Sequence, residues 1–345
     1  MAKQPPKNPS ASKHVTIRDV AKAANLSIGA ASAALRDAKS TIGVSRETRA
    51  RVRRVAQELG YRPNAAARAM AARSFRTIGL VATENCFTSY YSYVTRGIVA
   101  QAEELGYNVI VKMVPTIHDL ENARIFSEAL IDGVVVPALT EEHMREALVR
   151  FEIPHVWLNA GVDEPHNCVI SDEHQGMRLL VDHLISLGHR RIAYMPGDDP
   201  PGYHSLITRE NAFLAAMEAH GLEPMPTYSR WINIAEHVDL YLDMDPRPTA
   251  IVGGSDAFAA WTVSALLKRG LRVPEDVSVV GSEGVIWHRY IYPTLTTVLG
   301  PVHELGRAAV KMLVQHIDTG KPVPSVKLPV TLEVNESTAP PTPES

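Results

Sequence analysis

The chain has 345 residues, 45% apolar and 21% charged, which is the composition of a folded protein with material for two or three compact units. It holds no uncharged apolar run long enough to span a bilayer, and residues 1–13 are polar with prolines, so neither a membrane span nor a secretory signal is expected and the expected location is the cytoplasm. Two cysteines, Cys86 and Cys168, are too few for a disulfide framework or a metal knuckle.

The net charge of −3 conceals an uneven split. Residues 1–76 carry 16 Lys and Arg against Asp19, Asp37, Glu47 and Glu58, a balance of +12; the rest carry 19 against 34, a balance of −15. Opposite halves of this kind suggest a basic module for a polyanion joined to an acidic module that avoids it. The plain alternative is a solvated basic face without a partner, and the spelling of the basic segment argues against it.

Residues 1–14 read as a disordered basic tail. Thr16 can cap a short helix with Asp19 three residues on, and Ile17, Val20 and Ala21 share one face. Asn25-Leu26-Ser27 makes a tight turn, because Asn tolerates the left-handed conformation and Ser27 can cap a second helix over 28–35. A third helix, 46–59, has Ser45 as its cap, turns Val52, Val55, Ala56 and Leu59 inward, and stops at Gly60. The three form a small all-α helix-turn-helix head over 15–62.

In such a unit the second helix enters the major groove by its N-terminal residues while flanking elements hold phosphates. The candidate base-facing residues are Ser27, Ile28, Gly29, Ala30 and Ser32. Thr16, Arg18, Lys22, Arg36, Lys39, Arg49, Arg53 and Tyr61 are the candidates around them. Pro63 then breaks the chain, and Asn64 can cap a helix over 65–70 that includes Arg68 and Met70. One and a half turns are marginal alone, so this segment suits folding on DNA.

From 77 onward, apolar runs (78–82, 109–114, 133–138, 155–159, 191–196, 250–253, 277–281) alternate with helical stretches (93–105, 176–187, 207–219, 257–269). This pattern predicts an α/β core of two parallel-sheet subdomains with helices on both faces. Ligands of open parallel sheets lie beyond the C-terminal strand ends. The candidates there are Asn85, Tyr90, Tyr91 and Tyr93, then Asn159, then Gly254, Ser255, Asp256 and Glu283, although each tyrosine could equally serve the core.

Three ordered runs, TIRDVAKAANLS from Thr16, VSRETR from Val44 and ELGYRPN from Glu58, resemble the lactose/galactose-repressor (LacI/GalR) family, and the resemblance runs from Val15 to Thr338. It implies a homodimer with one recognition helix in each half of a pseudo-palindromic operator in double-stranded DNA. Paired hinge helices would enter the minor groove, with Met70 as the apolar wedge. It also implies a periplasmic-binding-protein-like core with an effector cleft and several chain crossovers. The implied layout is a hinge over 63–76, a core over 77–338 (77–172 with 301–325, and 173–300 with 326–338), and a disordered tail over 339–345. Arg209, Asp256 and Glu283 fall on effector positions of the family and Trp231 near an aromatic wall, which suits a sugar or sugar derivative. No cofactor, metal or catalytic residue is implied.

The match has departures. Ile28 and Gly29 stand where members usually carry polar side chains, and Ala33 where a basic residue is common, so no bidentate Arg–guanine pair comes from this face. Base discrimination then rests on DNA shape at the hinge, or on a longer loop over 37–44 that brings Lys39 or Arg36 to the bases. Glu283 replaces the usual aspartate and Ala160 an aromatic found in some members, so the effector's identity is not carried over.

Other readings exist. Gly253-Gly254-Ser255-Asp256-Ala257 imitates a hydrolase nucleophile elbow, with Asp276 and His288 or His303 completing the order Ser, Asp, His. A weakly specific architectural DNA-binding protein would also explain the polar-poor recognition helix. No phosphate-cradling glycine motif occurs, and the fourteen histidines form no metal-binding helix pattern. The C-terminus lacks leucine heptads, so no coiled-coil tetramer is expected.

Overall fold

A computed structural model of the chain describes residues 15–35, 43–62, 74–82, 89–113, 131–137, 148, 152–159, 165–196, 204–227 and 233–342. It divides into two units, Met1–Phe75 and Arg76–Ser345.

The first unit contains α1 (Ile17–Ala23), α2 (Ile28–Leu35) and α3 (Arg46–Glu58). Short polar residues set their limits. Asp19 accepts from both the N–H (2.8 Å) and the hydroxyl (2.7 Å) of Thr16, closing the start of α1. Asn25 turns the chain at a φ of 54°, and Ser27 Oγ accepts the Ala30 N–H at 3.2 Å to begin α2. Ser45 does the same for Thr48 at the start of α3. The core is thin: Val20, Ala21, Ala24, Ala31, Ala34, Val52 and Ala56 are buried, and the alanines let the three helices approach closely.

The second unit holds two sheets. Strands β1 (Thr77–Ala82), β2 (Asn108–Met113), β3 (Gly133–Pro137), β4 (His155–Leu158), β5 (Cys168–Ser171) and β10 (Val326–Leu328) form the first, in the order β10-β5-β4-β3-β1-β2, and every pair is parallel. The second contains β6 (Ile192–Met195), β7 (Ala250–Gly253), β8 (Ser278–Glu283), β9 (Thr296–Leu299) and β11 (Thr331–Glu333), in the order β11-β9-β8-β7-β6. Only β11 runs antiparallel to its neighbour. The buried apolar residues of β1, β3, β4, β6, β7 and β8 require helices as cover.

In the first lobe that cover includes α4 (Ser89–Glu104) and α10 (Val302–Thr319), whose Val94, Ile98, Leu305, Val310 and Leu313 pack with Ile78, Leu80, Val156 and Leu158. In the second it includes α5 (Glu173–Ser186), α6 (His204–Ala219), α7 (Ile234–Leu242) and α8 (Asp256–Lys268), with the short α9 (Trp287–Tyr290) after β8. Met177, Leu180, Leu184, Tyr194, Phe213 and Val252 make one core there, and Val238, Tyr241, Phe258, Leu266 and Val279 make another.

The chain crosses between lobes three times among the described residues: from β5 to α5, from β9 to α10, and from β10 to β11. The last crossing corrects the expected layout, because residues 326–328 pair with β5 and so extend the first sheet. Two further expectations are corrected. Helix α4 starts at Ser89, four residues early, and so takes in Tyr90 and Tyr91. The tail expected to be disordered from 339 is anchored: Ala339 accepts from His189 Nε2 at 2.9 Å and Thr342 donates to the Glu275 carbonyl at 2.9 Å.

Candidate functional site

The head exposes basic side chains on α1 and α3. Arg18, Lys22, Arg46, Arg51, Arg53 and Arg54 are exposed, and Arg49 and Tyr61 are half-buried. Ile28 is 48% exposed, with Gly29 exposed and Ala30 and Ser32 partly so. Ala33 is buried, so that position supplies packing and no side chain for a base edge. Exposed Arg51 and Arg54 carry the same chemistry and were missed by a reading centred on α2. Arg36, Lys39, Asn64, Arg68, Met70 and the segment 65–70 lie outside the described residues, as do Asn85 and Trp231.

In the core, the C-terminal ends of β4, β7 and β8 bring together Asn159, Ser255, Asp256 and Glu283, and α6 delivers Arg209 to them. Arg209 is buried, and four of its N–H groups are spoken for. Nε and Nη2 donate to the two oxygens of Glu173 (2.7 and 3.0 Å), and Nη1 donates to the Gly254 carbonyl (2.9 Å) and to Glu283 Oε1 (3.1 Å). Burial opposes the guanidinium's charge, but the Glu173 and Glu283 carboxylates outweigh it and hold its pKa well above the ordinary value.

Glu283 ends β8 with a φ of 129°, a backbone conformation that places its carboxyl beside Arg209. Burial pushes its pKa up to about 7; Arg209 opposes that rise and Asp256 adds to it. Asp256, almost fully buried at the start of α8, accepts from the Gly284 N–H (2.9 Å) and the Thr297 hydroxyl (2.5 Å), and burial raises its pKa despite these bonds. Across from them, Asn159 Nδ2 donates to the Tyr90 hydroxyl at 2.7 Å, and Tyr91 meets the Tyr90 ring edge-on at 5.2 Å. Burial, then the charge of Glu173, raises the Tyr90 pKa, and Arg209 and Glu283 also act on it. One electrostatic cluster thus joins residues of both lobes.

Glu173 was not foreseen. It sits in the first turn of α5, three residues before the helix expected from the sequence, and its partner Arg209 is 36 positions away. His288 was foreseen only as part of a hydrolase. It is buried, with Nδ1 3.8 Å from Asp256 and Nε2 3.6 Å from Glu333.

The hydrolase reading is overturned. Ser255 Oγ accepts the Phe258 N–H as the cap of α8, Asp276 is held by Arg272 at 2.8 Å, and His303 lies beside Glu304. Among the described residues no relay joins a serine, a histidine and Asp276. No group of metal-binding side chains occurs among the described residues. No helix among them is long and apolar enough to cross a membrane.

A helix-turn-helix head with exposed basic side chains, joined to two open, mainly parallel sheets that gather a charged cluster at their strand ends, defines a ligand-responsive DNA-binding regulator. The profile of bacterial regulatory proteins of the lacI family matches residues 16–64, and that of a periplasmic binding protein-like domain matches 181–338. The chain is 32% identical over 322 residues to the HTH-type transcriptional repressor PurR of Klebsiella pneumoniae, spanning 88% of this chain and 90% of that one. It is 30% identical over 342 residues to catabolite control protein A of Priestia megaterium, spanning 94% and 99%. Among solved structures, the lac repressor dimer bound to operator and the anti-inducer ONPF matches with a TM-score of 0.83 at 26% identity, covering 95% of this chain and 100% of that one. A complex of the regulator CelR with cellobiose matches with a TM-score of 0.68 at 26% identity, covering 94% and 99%. The chain belongs to the LacI family: it is a DNA-binding transcriptional regulator and not an enzyme. The architectural reading finds no support among these relatives.

Proposed function

We propose that this protein is a cytoplasmic, homodimeric repressor whose hold on a pseudo-palindromic operator is set by a small molecule bound between the core lobes. The observation that carries the reading is the Arg209 cluster, where Glu173, Asp256 and Glu283 from the second lobe share one electrostatic site with Tyr90 and Asn159 from the first. A ligand there touches both lobes, so it favours the lobe geometry that fits it. Tyr91, Ser255 as the cap beneath Asp256, and Trp231 complete the proposed effector site. A sugar or sugar derivative suits its mixture of hydrogen-bonding and flat faces.

On the head, Ser27, Ile28, Gly29, Ala30 and Ser32 face the bases, and Thr16, Arg18, Lys22, Arg36, Lys39, Arg49 and Tyr61 flank the phosphates. Asn64, Arg68 and Met70 form the hinge. Effector binding changes whether the two hinges of a dimer can be helical together, and a difference of a few kcal/mol between states then switches occupancy. Trp261, Leu267, Tyr290 and Tyr292, large and exposed on the second lobe, support dimerisation through the core. The test is a thermal-shift screen of sugars and related metabolites, followed by operator binding with each hit. A true effector raises the melting temperature and alters DNA affinity; hits that leave DNA affinity untouched would remove the regulatory reading.

A further inference from the structure

We propose that residues 335–339 form a strap over the second sheet, clasped by His183 and His189 and let go when the two rings take up protons. The strap is held by hydrogen bonds along its length. Asn335 gives its N–H to the Thr296 hydroxyl and its side-chain amide to the Leu295 carbonyl, both at 2.9 Å. Ser337 is fully buried; its hydroxyl accepts the Thr296 N–H at 2.9 Å, and its carbonyl accepts the Val279 N–H at 2.9 Å. Two imidazoles close the clasp. His183, in the last turn of α5, meets the Thr338 hydroxyl through Nε2 at 3.0 Å. His189, just beyond that helix, reaches the Ala339 carbonyl through Nε2 and the Thr249 hydroxyl through Nδ1, both at 2.9 Å.

The chemistry of the clasp decides which way pH moves it. A carbonyl only accepts, so His189 Nε2 carries the ring proton and Nδ1 is the nitrogen open to a second one. His189 is buried and His183 half-buried, and among the described residues no carboxylate lies within ion-pair distance of either ring. The charged groups on the surrounding segments are cationic or already engaged. Arg190 donates to the Ile185 and His189 carbonyls, and Arg191 to the Arg247 carbonyl. Asp182 pairs with His220, Asp276 with Arg272, and Glu336 accepts from Thr294. Burial holds both rings below the ordinary histidine value; the Ala339 carbonyl favours charge on His189 but is outweighed, and His183 adds repulsion. A released strap returns both rings to water. The clasped state therefore binds fewer protons, so the clasp is complete above about pH 6.5 and is lost as pH falls below it.

The strap borders the cleft residues without depending on what the cleft binds. Val279 lies near the start of the strand that ends at Glu283, and Thr296 precedes Thr297, whose hydroxyl holds Asp256. Release loosens the two strands that present these carboxylates, so a fall in pH reaches the cleft from their opposite ends.

The experiment follows hydrogen–deuterium exchange of the full-length protein by mass spectrometry at about pH 7.5, 6.5 and 5.5, with labelling times scaled for the chemical rate of amide exchange. Peptides over 277–281 and 334–340 report on the strap, and a peptide over β7 reports on the lobe as a whole. Strap opening should grow as pH falls, by up to about tenfold per pH unit for each ring that gains a proton, while β7 stays protected. His183→Gln and His189→Gln each keep an amide donor and cannot titrate. Together they should leave the strap closed at every pH. Strap exchange in the parent that does not rise with falling pH overturns the proposal without any variant. So does a rise that spreads equally to β7, or one that persists in the double variant. Should the double variant not fold at pH 7.5, the single variants are read instead, and a pH slope as steep as the parent's in both overturns the assignment.

Discussion

Arg209 and Glu173 form a two-point ion pair, Nε to Oε2 at 2.7 Å and Nη2 to Oε1 at 3.0 Å, with the arginine side chain only 5% exposed. The pair ties α6 to the first turn of α5 at the mouth of the second sheet. Glu173 therefore holds the arginine's plane and direction, while Glu283 and the Gly254 carbonyl take the third corner. Removing the acid leaves a buried guanidinium with a single carboxylate. Glu173→Ala should cost about 3 kcal/mol of stability, because uncompensated buried charge is expensive. Urea denaturation measures it, and a loss below about 1 kcal/mol would show the pair to be dispensable.

Glu283 should give the second lobe a pH dependence of recognisable sign. Its carboxyl titrates near 7 in the folded protein against an ordinary value of 4.5. A carboxyl raised in this way binds its proton more tightly when folded, so its contribution to stability is complete below about pH 4.5 and is lost as pH rises through about 7. Glu283→Gln removes that term. The variant should gain stability relative to the parent between pH 5 and 8, by an amount on the order of a few kcal/mol. Parallel denaturation curves for the two proteins across that range would contradict the assignment.

The α4–α10 contact makes a prediction about the first lobe. A Cβ on Gly306 would lie 2.1 Å from the Val94 carbonyl oxygen and 2.7 Å from the Ile98 amide, and one on Gly97 would lie 2.1 Å from the His303 carbonyl oxygen. The obstacles are backbone atoms, which no rotamer change can move. Gly306→Ala should cost about 1–3 kcal/mol or more. Gly60→Ala meets no neighbour and fails only through its φ of 66°. Comparing the melting temperatures of the two variants separates crowding from backbone strain.

Much of this architecture is legible in the amino-acid sequence. The head announces itself through local chemistry, since Thr16, Asn25, Ser27 and Ser45 each act within three residues of their own position. The apolar runs of a parallel sheet are equally local, and β1, β2, β3, β4, β6, β7 and β8 lie near the runs read from the sequence. The missed strands β5, β9, β10 and β11 are three or four residues long and rich in Ser, Thr, Lys or Glu; only their pairing makes them strands. Helix α10 carries a readable stripe in Leu305, Ala309, Val310 and Leu313, although it is absent from the helical stretches read from the sequence. Arg209, Asp256 and Glu283 stood out by resemblance. Glu173 did not, because its role exists only where α5 and α6 meet.

The basic head should show its contacts through salt. For a surface that neutralises about 6–10 phosphates per dimer, log affinity falls with log salt at a slope of about −0.9 per phosphate. Arg18→Ala and Lys22→Ala, both at exposed positions on α1, should weaken binding on any duplex and reduce that slope. Ile28→Ala should leave the slope alone and change the preference among operator variants, since an apolar side chain at the start of α2 can read only thymine methyls or groove shape. Fluorescence anisotropy on labelled duplexes across a salt series reads both effects. An unchanged slope in Arg18→Ala would place α1 away from the phosphates.

The C-terminal segment yields the last prediction. Ser337 is buried, and its hydroxyl donates to the Val279 carbonyl while its own carbonyl accepts the Val279 N–H at 2.9 Å. Ala339 bonds Ser278 Oγ on one side and His189 on the other, so residues 337–339 lie beside the start of β8. Removing 336–345 would leave the Val279 amide and the Nε2 of His189 without their partners, while Nδ1 keeps Thr249. The truncated chain should lose several kcal/mol from the second lobe and expose it to protease, while its oligomeric mass stays that of the intact protein at temperatures where it is folded. Limited proteolysis beside size-exclusion light scattering tests both halves. Unchanged protease resistance would refute the structural role of the segment, and dissociation of the folded protein would give it a place in the assembly.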